Sequence, residues 1–183
     1  MMTVRTLTRF LIGASLLLLA FSAARAQDLA PAAFYGTFQG SGFAEDNDSI
    51  YFGTTVRDLD VIIAPSGGGF SVTWTTIIRG GGDPSKPNVR RKTQTATFSP
   101  TENTGVFRGT PSGDPLTGNS YVWARIEANT MTVFIMSIGK TGDYNMQSYA
   151  RTLSGYGMDL VFTRIRDGDP VRTARAKLTK ASN

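Results

Sequence analysis

From Ala128 to Asp169 the chain is interrupted at a nearly constant interval. Ala128-Asn129, Lys140-Thr141-Gly142, Gly155-Tyr156-Gly157 and Asp167-Gly168-Asp169 are turn formers about 13 residues apart. Between and around them lie Tyr121–Glu127, Met131–Ile138, Tyr144–Leu153, Met158–Arg166 and Val171–Leu178, runs rich in β-branched and aromatic residues. Short turns joining consecutive strands describe an antiparallel meander. The first half adds Phe34–Phe43, Ile50–Ile63, Phe70–Arg79, Thr93–Phe98 and a short Gly105–Arg108 segment. No stretch after Gln27 spaces its apolar residues at the helical period, so the expected fold is all-β.

Alternation within the strands gives the next step. Phe70, Val72, Trp74, Thr76 and Ile78 share one face, whereas Ser71, Thr73, Thr75 and Arg79 share the other. One face is buried and one is wet. A meander of this size avoids exposed edges best by closing on itself, which favours an up-and-down barrel over a two-sheet sandwich. The expectation is a single antiparallel β-barrel of 8–10 strands, without a lid or a C-terminal helix. A barrel of that girth has room for side chains or for one small ligand.

The N-terminal segment reads differently. Arg5 and Arg9 precede the apolar run Phe10–Phe21, and Ala24-Arg25-Ala26 follows as a small-x-small cleavage site. This is the pattern of a secretory signal peptide over residues 1–26, and the run is too short for a membrane anchor. The barrel domain is then 27–183, located in the periplasm or secreted. The whole chain carries a formal charge of +5, but Arg5, Arg9 and Arg25 fall in the leader and no acid does. The remainder is nearly balanced, which argues against a general nucleic-acid-binding role.

The chain contains no Cys and no His. Thiol or Ser–His–Asp nucleophiles, Cys/His zinc sites and His- or Cys-ligated haem are therefore excluded, and no cofactor is expected. Among broad hydrolytic mechanisms a carboxylate pair survives. Asp58 and Asp60, at i and i+2 on one strand, would lie roughly 7 Å apart, but distance alone is weak support for a hydrolase. Glu45-Asp46-Asn47-Asp48 is an oxygen-rich loop of the kind calcium uses, yet it lacks a full ligand set at fixed spacing, and no metal site is assigned.

Tyr35-Gly36-Thr37-Phe38 at the first strand, with Arg164 and Arg166 in the penultimate one, resembles the calycin pattern of lipocalins, fatty-acid-binding proteins and avidin-like barrels. In those families a Gly-x-Trp on the first strand packs beneath an Arg from a late strand and closes one end; here Phe38 stands at the Trp position. The resemblance implies a lidless barrel that binds small molecules. The chain is also similar to a group of uncharacterised secreted proteins of Gram-negative bacteria in stretches such as Arg57-Asp58-Leu59-Asp60 and Trp123-Ala124-Arg125, which implies location and no activity.

Candidate binding residues follow from alternation. Tyr121, Trp123 and Arg125 share one face of their strand, as do Tyr149 and Arg151 on another. Pointing inward, the two arginines would hold a carboxylate or phosphate while the aromatics cover an apolar body. The opposite orientation, with Val122, Ala124 and Ile126 inside, fits the periodicity equally well. A separate candidate is the Gly80–Lys92 loop, whose Lys86, Arg90, Arg91 and Lys92 would attract an anionic partner. The leading expectation is thus a non-enzymatic binding protein for a small, mostly apolar ligand with an anionic group. The alternative is an envelope protein–protein module, an inhibitor or scaffold, with a filled interior and working loops.

Overall fold

In the computed structural model, which describes residues 27–46, 55–79 and 89–181, ten strands follow one another around a closed antiparallel barrel. They are β1 (Gly36–Asp46), β2 (Thr55–Ser66), β3 (Gly69–Arg79), β4 (Val89–Pro100), β5 (Val106–Thr110), β6 (Tyr121–Glu127), β7 (Thr130–Ile138), β8 (Tyr144–Ser154), β9 (Gly157–Arg166) and β10 (Asp169–Lys180). Each pairs with its sequence neighbour, and β10 returns to β1 in a register running from Phe38 opposite Lys180 to Asp46 opposite Arg172. The expected all-β barrel is therefore present, at the upper end of the expected strand count. Among the described residues the helical pieces are two short 3₁₀ turns, Pro31–Phe34 and Pro115–Thr117. Residues 1–26, the Asn47 and Asp48 positions of the acidic segment, and residues 80–88 lie outside the described residues.

Local chemistry sets the hairpins. The β2–β3 connection is Gly67-Gly68, both with positive φ (52° and 82°), and β9–β10 turns through Asp167-Gly168 at 48° and 95°. Two consecutive positive φ values suit the right-handed twist of a tight hairpin, and Gly, Asn and Asp adopt them at least cost. At the start of β10 the pairing shifts by one residue between Pro170 and Arg172, a bulge that brings Arg172 opposite Arg164.

The interior has two parts. At the end carrying the β2–β3, β6–β7 and β8–β9 turns it is solid. Phe34, Phe38, Ile63, Phe70, Phe98, Ile126, Met131 and Met158 are essentially inaccessible there. Phe70 stacks on Phe98 with ring centres 5.0 Å apart and meets Phe107 edge-on at the same distance. Each such side chain contributes about 1.5–3 kcal/mol through burial. The Pro31–Phe34 turn drives Phe34 into this base, and Asp28 ties the preceding segment to the β6–β7 turn by accepting a hydrogen bond from the Ala128 N–H at 2.7 Å. Lys180 of β10 lies over the Phe38 ring, its Nζ 5.7 Å from the ring centre. The cation at this packed end is thus a lysine of the last strand and not the late-strand arginine that the resemblance implied; Arg164 faces the opposite, open end.

Candidate functional site

Above the packed base the barrel is hollow. A cavity of about 430 Å³ opens at the end where β1, β3 and β9 finish and β2, β4 and β10 begin. Its walls follow from alternation on five strands. β2 turns Arg57, Leu59 and Val61 inward; β3 turns Trp74, Thr76 and Ile78; β4 turns Arg90, Lys92 and Gln94; β9 turns Leu160, Phe162 and Arg164; β10 turns Arg172 and Ala174. Gln147 and Tyr149 of β8 and Gly42, Phe43 and Ala44 of β1 complete the wall.

Cross-strand pairing orders these residues by depth. Tyr149 lies opposite Phe162, which lies opposite Ala174. Two residues nearer the mouth, Gln147, Arg164 and Arg172 are successive neighbours. On the other side Trp74 pairs with Gln94 and Val61, then Thr76 with Lys92 and Leu59, then Ile78 with Arg90 and Arg57. The cavity is therefore a well whose depth is aromatic and aliphatic with Thr76, Gln94 and Gln147 interspersed, ringed toward its mouth by Arg57, Arg90, Lys92, Arg164 and Arg172. Among the described lining residues none is acidic. Arg164 is held by a hydrogen bond from Nε to the Asn145 side-chain oxygen at 3.1 Å.

Trp74 and Tyr149 form the floor, with ring centres 5.2 Å apart. Tyr149 also packs on Phe162 at 4.8 Å and donates its hydroxyl to the Gln147 side-chain oxygen at 2.9 Å. Burial raises the Tyr149 phenol above its ordinary value, while Arg151 and the side chains of Trp74 and Gln94 act in the opposite direction. The Trp74 indole N–H is near enough to influence that phenol yet makes no hydrogen bond of good geometry. Beneath the floor lies Arg151, with no accessible surface at all. Its guanidinium carbon is 5.6 Å from the ring centres of both Trp74 and Tyr149. Desolvation lowers its pKa to about 10, which leaves it a cation at neutral pH.

The sequence candidates divide accordingly. Tyr149 lines the cavity and Arg151 sits directly below it. Tyr121, Trp123 and Arg125 do not line it, because Val122, Ala124 and Ile126 occupy the inner face of β6, with Ala124 and Ile126 buried. Trp123 instead stacks on Phe134 at 4.8 Å on the outer surface, and Arg125 pairs with Glu127 at 2.8 Å with its side chain 54% exposed. The inward orientation considered for this strand is thus corrected in favour of its alternative. Arg90, Arg91 and Lys92 are part of β4 rather than of a loop, and Arg90 and Lys92 face the cavity; Lys86 lies outside the described residues. Asp58 and Asp60 alternate with the inward residues Arg57, Leu59 and Val61, and so lie on the outer face of β2.

Arg57, Trp74, Gln94, Gln147, Arg164 and Arg172 were not singled out as lining residues. Their signal was the i, i+2 pattern, which links Phe98 and Ala96 to Gln94, Lys92 and Arg90, and Met158 to Leu160, Phe162 and Arg164. Compared with known proteins, the chain matches no protein-family model and no curated protein.

Proposed function

We propose that this protein is a non-enzymatic binding barrel for a small amphipathic anion, a mostly apolar body with an anionic group, acting in the periplasm or after secretion. The observation that carries the reading is the ring of Arg57, Arg90, Lys92, Arg164 and Arg172 around an aromatic and aliphatic well of about 430 Å³. That volume falls within the range of small-molecule sites. Guanidinium groups bind carboxylate or phosphate through paired N–H donors, and the well beneath shelters an apolar body from water. The calycin resemblance is extended on the same grounds to a ligand-binding role.

Native mass spectrometry of the purified protein, with titration by a fluorescent fatty acid, tests the reading. A co-purifying anion, or saturable binding in the micromolar range that falls about tenfold or more in an Arg164→Gln/Arg172→Gln variant, supports it. Absence of any bound species together with no saturation below about 1 mM overturns it. The location is tested separately by N-terminal sequencing after expression in a Gram-negative host, where export predicts a mature protein beginning at Gln27.

A further inference from the structure

Arg151 is completely buried, yet its Nε and Nη2 have no hydrogen-bond partner. Its remaining nitrogen donates to the Tyr149 carbonyl oxygen at 3.2 Å. No carboxylate among the described residues contributes to its electrostatics; Tyr149 is the one titratable group that does. An uncompensated buried cation costs several kcal/mol, and a methionine in the same place would avoid that cost. Cation–π contact with the two rings offsets only part of it. Such a group, placed directly under the floor of a cavity, has the chemistry of an anion-binding site.

We propose that Arg151 is a second anion-binding station beneath the Trp74–Tyr149 floor, and that the ligand carries an anionic group at each end of an apolar chain. This rests on the binding reading above and narrows it from an amphipathic monoanion to a two-ended dianion. One end meets the cations at the mouth; the other reaches Nε and Nη2 of Arg151 when the Trp74 and Tyr149 rings, whose centres are 5.2 Å apart in the ligand-free floor, move aside. Arg151 lies opposite Leu160, four residues along β9 from Arg164, so the two stations are separated by about 13 Å of strand. The wall between them is formed by Leu160, Phe162 and Tyr149, which suits methylene groups.

Calorimetric titration of the full-length mature protein with dodecanedioate and with dodecanoate decides the matter. The wild type should bind the dicarboxylate at least about tenfold more tightly, the effect of one added charge-assisted contact. Arg151→Met should erase that preference by lowering dodecanedioate affinity to about that of dodecanoate, and Arg151→Lys, which keeps the charge with fewer donors, should retain part of it. Equal binding of the two acids by the wild type overturns the proposal, as does an undiminished preference in Arg151→Met. The wild-type comparison stands even where a variant does not fold. If neither acid binds the wild type, the binding reading falls as well, whereas dodecanoate binding without a dicarboxylate preference removes only the second station.

Discussion

The Arg151 guanidinium carbon lies 5.6 Å from the centre of the Trp74 ring, while Arg151 itself does not line the cavity. Tyr149 covers the same cation at the same distance, so an unpaired charge is roofed by two aromatics. Cation–π attraction is worth about 2 kcal/mol when desolvated, less than the cost of desolvating the ion. Arg151→Met, which replaces the cation by a shorter unbranched apolar side chain, is therefore expected to stabilise the ligand-free protein by about 1–4 kcal/mol. Urea denaturation should show a higher midpoint at an unchanged slope. A lower midpoint would show that packing by the guanidinium outweighs its desolvation.

The two tryptophans occupy opposite sides of the wall. Trp74 is part of the cavity floor, whereas Trp123 stacks on Phe134 outside. Ligand entry changes the surroundings of Trp74 alone. Trp123→Phe should thus preserve the change in tryptophan emission on ligand addition, and Trp74→Phe should abolish it. Loss of the response in Trp123→Phe would place binding on the outer surface of β6 and β7.

Phe70 belongs to the solid base, where it meets Phe98 and Phe107 with ring centres 5.0 Å away. Phe70→Ala leaves a void that its neighbours fill poorly and should cost about 3–5 kcal/mol. Thr73, three residues on, faces outward and shares a hydroxyl hydrogen bond of 2.9 Å with Thr95. Thr73→Ala should cost no more than about 1 kcal/mol, because that bond is exposed. Comparable losses in the two variants would contradict the assignment of inner and outer faces on β3.

That assignment was legible in the sequence because β3 sorts its residues cleanly: every second position from Phe70 to Trp74 is large and apolar, and the positions between are Ser and Thr. The turns were legible for the same local reason, since Gly and Asp supply the positive φ at Gly67, Gly68, Gly142, Gly155, Asp167 and Gly168, although at the β6–β7 turn Ala128 adopts it. β6 was not, because Tyr121 and Trp123 are as apolar as Val122 and Ile126. Its orientation depends on β7, which places Val133 in the core and Phe134 outside, where it shelters Trp123. Arg90, Arg91 and Lys92 read as a loop because they continue a stretch of Gly and Pro; the i, i+2 pattern running back from Phe98 puts Arg90 and Lys92 on the inner face once β4 is seen to begin at Val89. The depth of Arg151 was equally hidden. Alternation puts it on the same face as Tyr149, but whether it lies in the well or beneath it depends on how neighbouring strands are staggered.

The coupling between Tyr149 and Arg151 also gives a pH-dependent prediction. Burial raises the Tyr149 phenol above its ordinary value, and the Arg151 cation partly opposes that rise by favouring the phenolate; Arg164 acts in the same sense from the mouth. Because the folded-state pKa is raised, the unfolded chain releases this proton first, and stability contributed by Tyr149 declines as pH rises past about 10. Arg151 behaves oppositely: its folded pKa of about 10 lies below the ordinary arginine value, so its burial penalty is full at neutral pH and eases only above that point. With no histidine in the chain, neither stability nor ligand affinity should vary appreciably between about pH 6 and 9. Removing the cation takes away the influence that holds the phenol down, so in Arg151→Met Tyr149 should ionise at still higher pH. The measurement is the alkaline tyrosinate absorbance of each protein, differenced against the same background carrying Tyr149→Phe to isolate one of six tyrosines. A shift in the other direction would mean that the Arg151 charge does not reach the Tyr149 hydroxyl, contrary to the 5.6 Å geometry.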